Sequence, residues 1–336
     1  MKIFTDRDAS LQPLKGKTIA ILGYGNQGRA QALNLRDSGL NVIVGNRQDS
    51  YREQALADDY DPLTIAEAAE TADILILLTT DESQPEIWDE QIAPGIKPGD
   101  TLVWASGYNV GYDLIAPPSN VDIVLVAPRM TGNYVRILFE QGRGAVAQVA
   151  VHQDATGQAW GRMLALAKGI GATRAGVFES SFREEAELDL FAEQVVWAGL
   201  VAWFEECFKL GVENGFSPEL MALELYASGE ASEILGLMAR NGFYKQMTHH
   251  STTSQYGTLS RAPNMLNDEI RAQMRHNLVN DIQGGAFVAE WSGEQAAGSQ
   301  TLAELKEQAL NNPMSTAEQE IINLMRQSIP SSPSLP

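Results

Sequence analysis

The chain has 336 residues, a length that suits two domains better than one core. At 44% hydrophobic and 20% charged its composition is that of an ordinary globular protein, and no apolar run reaches the roughly 18 residues needed to span a bilayer. A formal net charge of -19 argues against nucleic acid and membranes as partners, but not against an anionic cofactor, since backbone amides bind phosphate locally.

In chain order, Met1 to Asp6 offers no apolar signal core, and the single cysteine, Cys207, can close no intrachain disulfide; both favour a cytoplasmic location. The first apolar run, 18–22, leads into Gly23-Tyr24-Gly25-Asn26-Gln27-Gly28 and then a helical stretch from Arg29. In such a turn the first glycine permits the tight bend. The second lets a pyrophosphate approach the backbone, and the third lets helix and strand pack closely. The free amides and positive dipole end of the helix complete a dinucleotide site. The second run, 41–44, ends at Gly45-Asn46 without the acid that would mark the ribose of NAD. In the loop that follows, Arg47, Ser50 and Arg52 could hold a 2'-phosphate, while Asp49 would repel it or bind a ribose hydroxyl. The reading leans to NAD and leaves NADP open.

Further short apolar runs at 73–78, 101–105, 122–127 and 145–151, separated by helical stretches, predict buried parallel strands in a doubly wound Rossmann domain over 1–182. Beyond 182 the strand signal stops. Helices are predicted at 184–211, 218–240, 267–283 and 302–310, an all-α domain over 183–326. The serine- and proline-rich 327–336 reads as a disordered tail.

Several segments together carry a family likeness. These are Gly23 to Gly28, Val151-His152-Gln153-Asp154-Ala155-Thr156-Gly157, Lys168-Gly169-Ile170-Gly171-Ala172-Thr173-Arg174-Ala175-Gly176-Val177, Asp189-Leu190-Phe191-Ala192-Glu193-Gln194 and Asp281-Ile282-Gln283-Gly284-Gly285. On these the sequence resembles a short-form ketol-acid reductoisomerase over nearly its whole length. The resemblance implies an interlocked, knotted helical domain behind the Rossmann domain and an active site shared by the subunits of a homodimer or higher oligomer. It also implies a metal-assisted alkyl shift in a 2-hydroxy-2-alkyl-3-oxo acid, followed by hydride transfer from NAD(P)H, with Mg2+ on the substrate oxygens. A hard dication with carboxylate ligands suits that chemistry.

The sequence departs from the family's pattern at the chemistry. Ser106-Gly107 stands where the family has histidine and glycine, and serine holds no proton near neutral pH. Arg129 follows Pro128 where the family has lysine; arginine keeps the charge but shuttles no proton. Asp189 and Glu193 match metal ligands, and their i, i+4 spacing puts both on one helix face. The family's next pair of glutamates maps to Glu224 and Glu230, six apart. In a straight helix that turns the second about 120° off the first, unless a bulge or break near Gly229 restores convergence. One magnesium is therefore expected, and the second depends on that break. The resemblance places Arg129, Ser106, Glu193 and Glu230 in catalysis and Ser251 at the substrate, with Tyr226 intruding beside it. Trp104, Tyr108, Trp197, Trp203 and Tyr226 could line an aromatic site suited to a cation.

These departures favour a remodelled member of the family acting on a different small polyoxygenated substrate in specialised metabolism. Cyclopropanol formation from a sulfonium diol is the specific form considered. An ordinary ketol-acid reductoisomerase of branched-chain amino-acid biosynthesis, and a non-catalytic dinucleotide-binding protein, stand as alternatives.

Overall fold

The computed structural model describes residues 1–328. Its strands are β1 (Ile3–Phe4), β2 (Thr18–Leu22), β3 (Asn41–Gly45), β4 (Ile74–Leu77), β5 (Thr101–Trp104), β6 (Asp122–Pro128), β7 (Ala147–Gln153) and β8 (Val177–Glu179). They form one eight-stranded sheet in the order β1-β8-β7-β6-β5-β4-β2-β3. The central strands are apolar without interruption because both of their faces are covered. Alternate residues serve opposite cores. Ile19, Ile21, Ile74, Ile76, Val103 and Val124 pack on one side, and Ala20, Leu22, Leu75, Leu77, Leu102 and Leu125 on the other.

Strands β2 to β6 are parallel, as the sequence suggests, but β7 runs antiparallel to β6. An apolar run reads the same in either direction, so the reversal had no signal. Two strands were not expected. The pair Ile3–Phe4 lies antiparallel on Val177 and Phe178 of β8, and β8 lies parallel to β7. At the opposite edge Leu63 bridges Gly45 of β3. After β2 the chain adds β3 on one side and β4 on the other. The strand order therefore reverses at β2, and ligands of doubly wound sheets bind beyond the carboxyl ends of the strands at such a point.

The described chain divides into two compact units, one of Met1–Asp189 and one from Leu190 on. The division falls inside the helix Phe182–Phe191, later than the loss of strand signal, because the first turns of that helix pack on the sheet. A Cβ on Gly107, just after β5, would stand 2.0 Å from the carbonyl oxygen of Phe182. In the second unit the described residues are helical, without strands. The long helices expected there are interrupted by π-helical turns at Ala192–Trp197, Leu223–Ala227 and Asn277–Gln283. Thr252–Arg261, Ala286–Ala296 and Pro313–Ser328 are further helices that the sequence pattern did not single out. Of the segment read as a tail, Gln327 and Ser328 close the last of these, and the remainder lies outside the described residues. Among the described residues no helix is long and apolar enough to cross a membrane.

Candidate active site

The glycine turn occupies the reversal point, between β2 and α1 (Asn26–Asp37). Gly23 has φ +97°, a conformation that suits glycine, and a Cβ there would meet the Thr79 amide nitrogen at 2.8 Å. A Cβ on Gly28 would lie 2.0 Å from the carbonyl oxygen of Gly23, so this glycine seats the helix against the turn. Gly25 differs. It has ordinary backbone angles as the N-cap of α1, and no heavy atom lies within 4 Å of where its Cβ would be. Open space above the first amides of a helix can admit an anion. Tyr24 supplies only backbone to the turn. Its ring is buried against Tyr60, its amide donates to Asn46 at 2.9 Å, and its hydroxyl donates to Asp58 at 3.1 Å. Asn26 and Gln27 tie the turn to the segment after β6: Asn26 accepts from the amide of Asn133, at the start of the helix Gly132–Glu140, at 2.9 Å, and Gln27 donates to the Met130 carbonyl in the loop before it at 2.8 Å.

The loop after β3 is built around Asp49. It N-caps α2 (Ser50–Ala57), accepting from the amides of Tyr51 at 3.0 Å and Arg52 at 3.2 Å. Asn46 donates to the same carboxylate at 2.8 Å, and the exposed Arg47 guanidinium pairs with it at 2.8 Å. Partial burial raises the Asp49 carboxyl, but the Arg47 guanidinium and the Arg52 and Asn46 donors outweigh it and hold it below the ordinary range. Ser50, the first residue of α2, is exposed beside it. Arg52 turns one amino group inward, donating from Nη1 to the carbonyls of Asn46 at 3.2 Å and Leu63 at 3.0 Å.

Three loops at the carboxyl ends of β4, β5 and β6 carry the polar groups next to this turn. The Ser106 hydroxyl donates to Asp81 at 3.2 Å and accepts from the Tyr108 amide at 3.3 Å. Arg129 bridges two carboxylates of the helix Phe182–Phe191, donating from Nη1 to Glu185 at 2.6 Å and from Nη2 to Asp189. Glu185 was not among the candidates from sequence. It is 1% exposed and also accepts from the Gly107 amide at 2.5 Å. Burial pushes its carboxyl up to about 7; the Gly107 amide and Arg129 pull it down, and the carboxylates of Asp189 and Asp81 add to the rise. Its only trace in the sequence is an acid one helical turn before Asp189.

Trp104 is wholly buried, tilted against Trp88 and edge-on to Phe182, with its indole N–H on Gln84 at 3.0 Å. Tyr108 is buried too, so this part of the expected aromatic site is core instead.

In the helical unit, Glu193 lies on the π turn Ala192–Trp197 and Glu224 on the π turn Leu223–Ala227. Glu230 opens the next helix, Glu230–Asn241, after Gly229 with φ +85°. The straight helix that would turn Glu224 and Glu230 apart is thus interrupted twice between them. The Tyr226 hydroxyl is committed to Glu318, and its ring stacks on Phe204. Ser251 N-caps Thr252–Arg261, accepting from the Ser254 amide at 3.2 Å. Among the described residues no three histidine, cysteine, aspartate or glutamate side chains converge as a metal cage. The candidate donors, Asp189, Glu193, Glu224 and Glu230, are all carboxylates, the chemistry a hard dication takes.

Residues 13–176 match the family model described as acetohydroxy acid isomeroreductase, NADPH-binding domain, and residues 182–327 match ketol-acid reductoisomerase, C-terminal domain. The chain is 44% identical over 326 residues to a ketol-acid reductoisomerase (NADP(+)) of Pyrobaculum islandicum, covering 96% of this chain and 98% of that one. A ketol-acid reductoisomerase (NADP(+)) of Methanocaldococcus jannaschii is 44% identical over 300 residues, covering 89% and 90%. The solved structure of an NADH-preferring ketol-acid reductoisomerase from an uncultured archean superposes with a TM-score of 0.92 at 34% identity, over 96% of this chain and 99% of that one.

Proposed function

Since this chain belongs to the ketol-acid reductoisomerase family, we propose that it carries out the family's ordinary reaction: the alkyl shift of a 2-hydroxy-2-alkyl-3-oxo acid and its reduction by a nicotinamide dinucleotide. The observation that carries this reading is the Arg129 bridge. The residue standing in place of the family's lysine keeps a fixed cation between Glu185 and Asp189, on a loop bonded to the dinucleotide turn. The positive charge of the family's lysine is therefore kept at this position, and the burial of Trp104 and Tyr108 takes away support for a cation-binding aromatic site. The cofactor would lie with its pyrophosphate over Gly25. Asp189, Glu193, Glu224 and Glu230 would hold magnesium, which when bound polarises the substrate's oxygens. Arg129 would orient substrate oxygens. Glu185, poised near neutrality, would hold the proton that accompanies the hydride, a task Ser106 cannot perform.

The test is NAD(P)H oxidation by purified protein with 2-acetolactate, with and without magnesium. Magnesium-dependent turnover supports the reading. No turnover despite cofactor binding would sink it and favour the remodelled alternative.

The proton on Glu185 gives a pH signature. Its carboxyl sits at about 7 in the fold against 4.5 for the free group, so the fold favours the protonated form. That contribution is full below the unfolded value and is lost as pH rises through about 7. Arg129, Asp189 and Asp81 are the charged groups facing it. Glu185→Gln lacks this titration. Its unfolding free energy relative to the parent should rise between about pH 5 and about pH 8 in denaturant titrations, and a difference flat with pH would count against the assignment.

For the cofactor we favour NADH. The amides at the start of α2 are already capped by an ionised Asp49, which leaves a negative charge where a 2'-phosphate would arrive. Asn caps a helix as well as Asp. Asp49→Asn should therefore keep α2 capped, losing only the exposed Arg47 ion pair, and raise the NADPH-to-NADH ratio of kcat/KM about tenfold. An unchanged ratio would point to specificity set elsewhere.

We also propose a homodimer formed through the helical unit. Trp197 (51% exposed) and Val201 (65% exposed) display apolar surface on neighbouring turns that a single chain leaves open to water. Val201→Glu should yield monomers in sedimentation velocity, whereas an unchanged sedimentation coefficient would place the interface on another face.

A further inference from the structure

Tyr226 stands between Glu224 and Glu230 in a stretch without a continuous helix ladder. It lies on the π turn Leu223–Ala227, and the left-handed Gly229 follows. Such irregular turns persist only where their surroundings fix them. Here the surroundings are specific. The Tyr226 hydroxyl donates to Glu318, a charge-assisted bond that reaches the helix Pro313–Ser328 across 92 residues of sequence. Phe204 stacks on the ring with a centroid separation of 6.1 Å and planes 13° apart. Beneath them, Ala317 and Ile321 of the same helix close a buried cluster with Phe208 and Ala222, against which Leu225 and Ala227 of the π turn pack.

We propose that the Tyr226–Glu318 bond is a positioning latch, through which the C-terminal helix holds the π turn, and with it the spacing of Glu224 and Glu230, in the form that accepts a divalent cation. This rests on the reading of those two glutamates as magnesium ligands. Tyr226 is in this view a positioning residue; it need not touch substrate or metal. The six-residue spacing that a regular helix would scatter becomes workable because a distant helix fixes the break.

The test is Mn2+ binding to the full chain as purified, followed by the paramagnetic resonance of the free ion, without cofactor or substrate. Glu224→Gln should lose binding, which checks the underlying reading. Tyr226→Phe and Glu318→Ala should each weaken it about tenfold, the usual size for groups acting behind metal ligands. Glu318→Gln, which keeps an acceptor for the hydroxyl, should restore most of the loss. Ile321→Val trims the same helix's buried face without touching the bond. It should lower the melting temperature and leave Mn2+ affinity unchanged.

Binding within about twofold of the parent in both Tyr226→Phe and Glu318→Ala, while Glu224→Gln loses it, overturns the latch alone. An Ile321→Val variant weakened as much as Tyr226→Phe also overturns it, since helix packing rather than the bond would then set affinity. If Glu224→Gln binds Mn2+ normally, the ligand reading fails and the latch with it.

Discussion

Replacing Arg129 with alanine is expected to lower kcat/KM for 2-acetolactate by a factor of about one hundred to one thousand, the usual effect of removing a single fixed charge donor from an active site. The guanidinium has one arm on Glu185 and the other on Asp189, so its removal leaves a carboxylate that is 1% exposed without its cation. Breaking a buried pair from one side destabilises a fold, here by about 2 kcal/mol, because Arg129 keeps a third of its surface in water and Glu185 can take up a proton instead. The same substitution frees Asp189. Half-saturating magnesium should therefore fall even as kcat falls, an opposition that plain loss of structure would not produce. Arg129→Lys keeps the charge but not the two-armed geometry, and should recover part of the rate. Steady-state kinetics across a magnesium series decides the matter. An alanine variant with near-parental kcat/KM would remove Arg129 from the mechanism.

The second large effect is expected at Gly25. Nothing in the protein occupies the space its Cβ would enter, and its backbone angles are ordinary. Gly25→Val should therefore fold as the parent does. The added methyls fill the place proposed for the pyrophosphate, so NADH affinity in a fluorescence titration should drop on the order of a hundredfold. Gly28→Ala is the contrasting case, since its Cβ would meet a carbonyl oxygen of the turn at 2.0 Å. It should lose about 1–3 kcal/mol of stability as overpacked backbone, visible in a melt without any cofactor. A Gly25→Val protein that binds NADH normally would mean the dinucleotide lies elsewhere.

Much of this site can be read from the residues because its chemistry is local in sequence. The run from Thr18 to Gly28 specifies strand, turn and helix within one short stretch, and each glycine's role follows from its place in the turn. What escaped depends on encounters between distant segments. Glu185 is one acid among several on a charged helix until Gly107 and Arg129 meet it. Asp49 is the exception, since its four donors lie within three residues of it and yet it reads equally as a ribose ligand or a surface residue. The interruption between Glu224 and Glu230 was half legible: a π turn leaves no hydropathy signature, although Gly229 hinted at a break. Tyr226 looked like an obstacle in the pocket, and only the fold reveals Glu318 as its partner.

The margins of the sheet have a consequence for how copies of this protein meet. An open strand edge is a template on which another chain can add a strand, and long flat edges invite aggregation. Here one margin ends in the two-residue β1, and at the other the Leu63 bridge covers the carboxyl end of β3. Neither offers a long run of unpaired backbone. A chain with net charge -19 also repels its own copies at a distance. Self-association is thus discouraged wherever backbone could pair indiscriminately, and is left to side-chain surfaces on the helices, where shape can select the right partner.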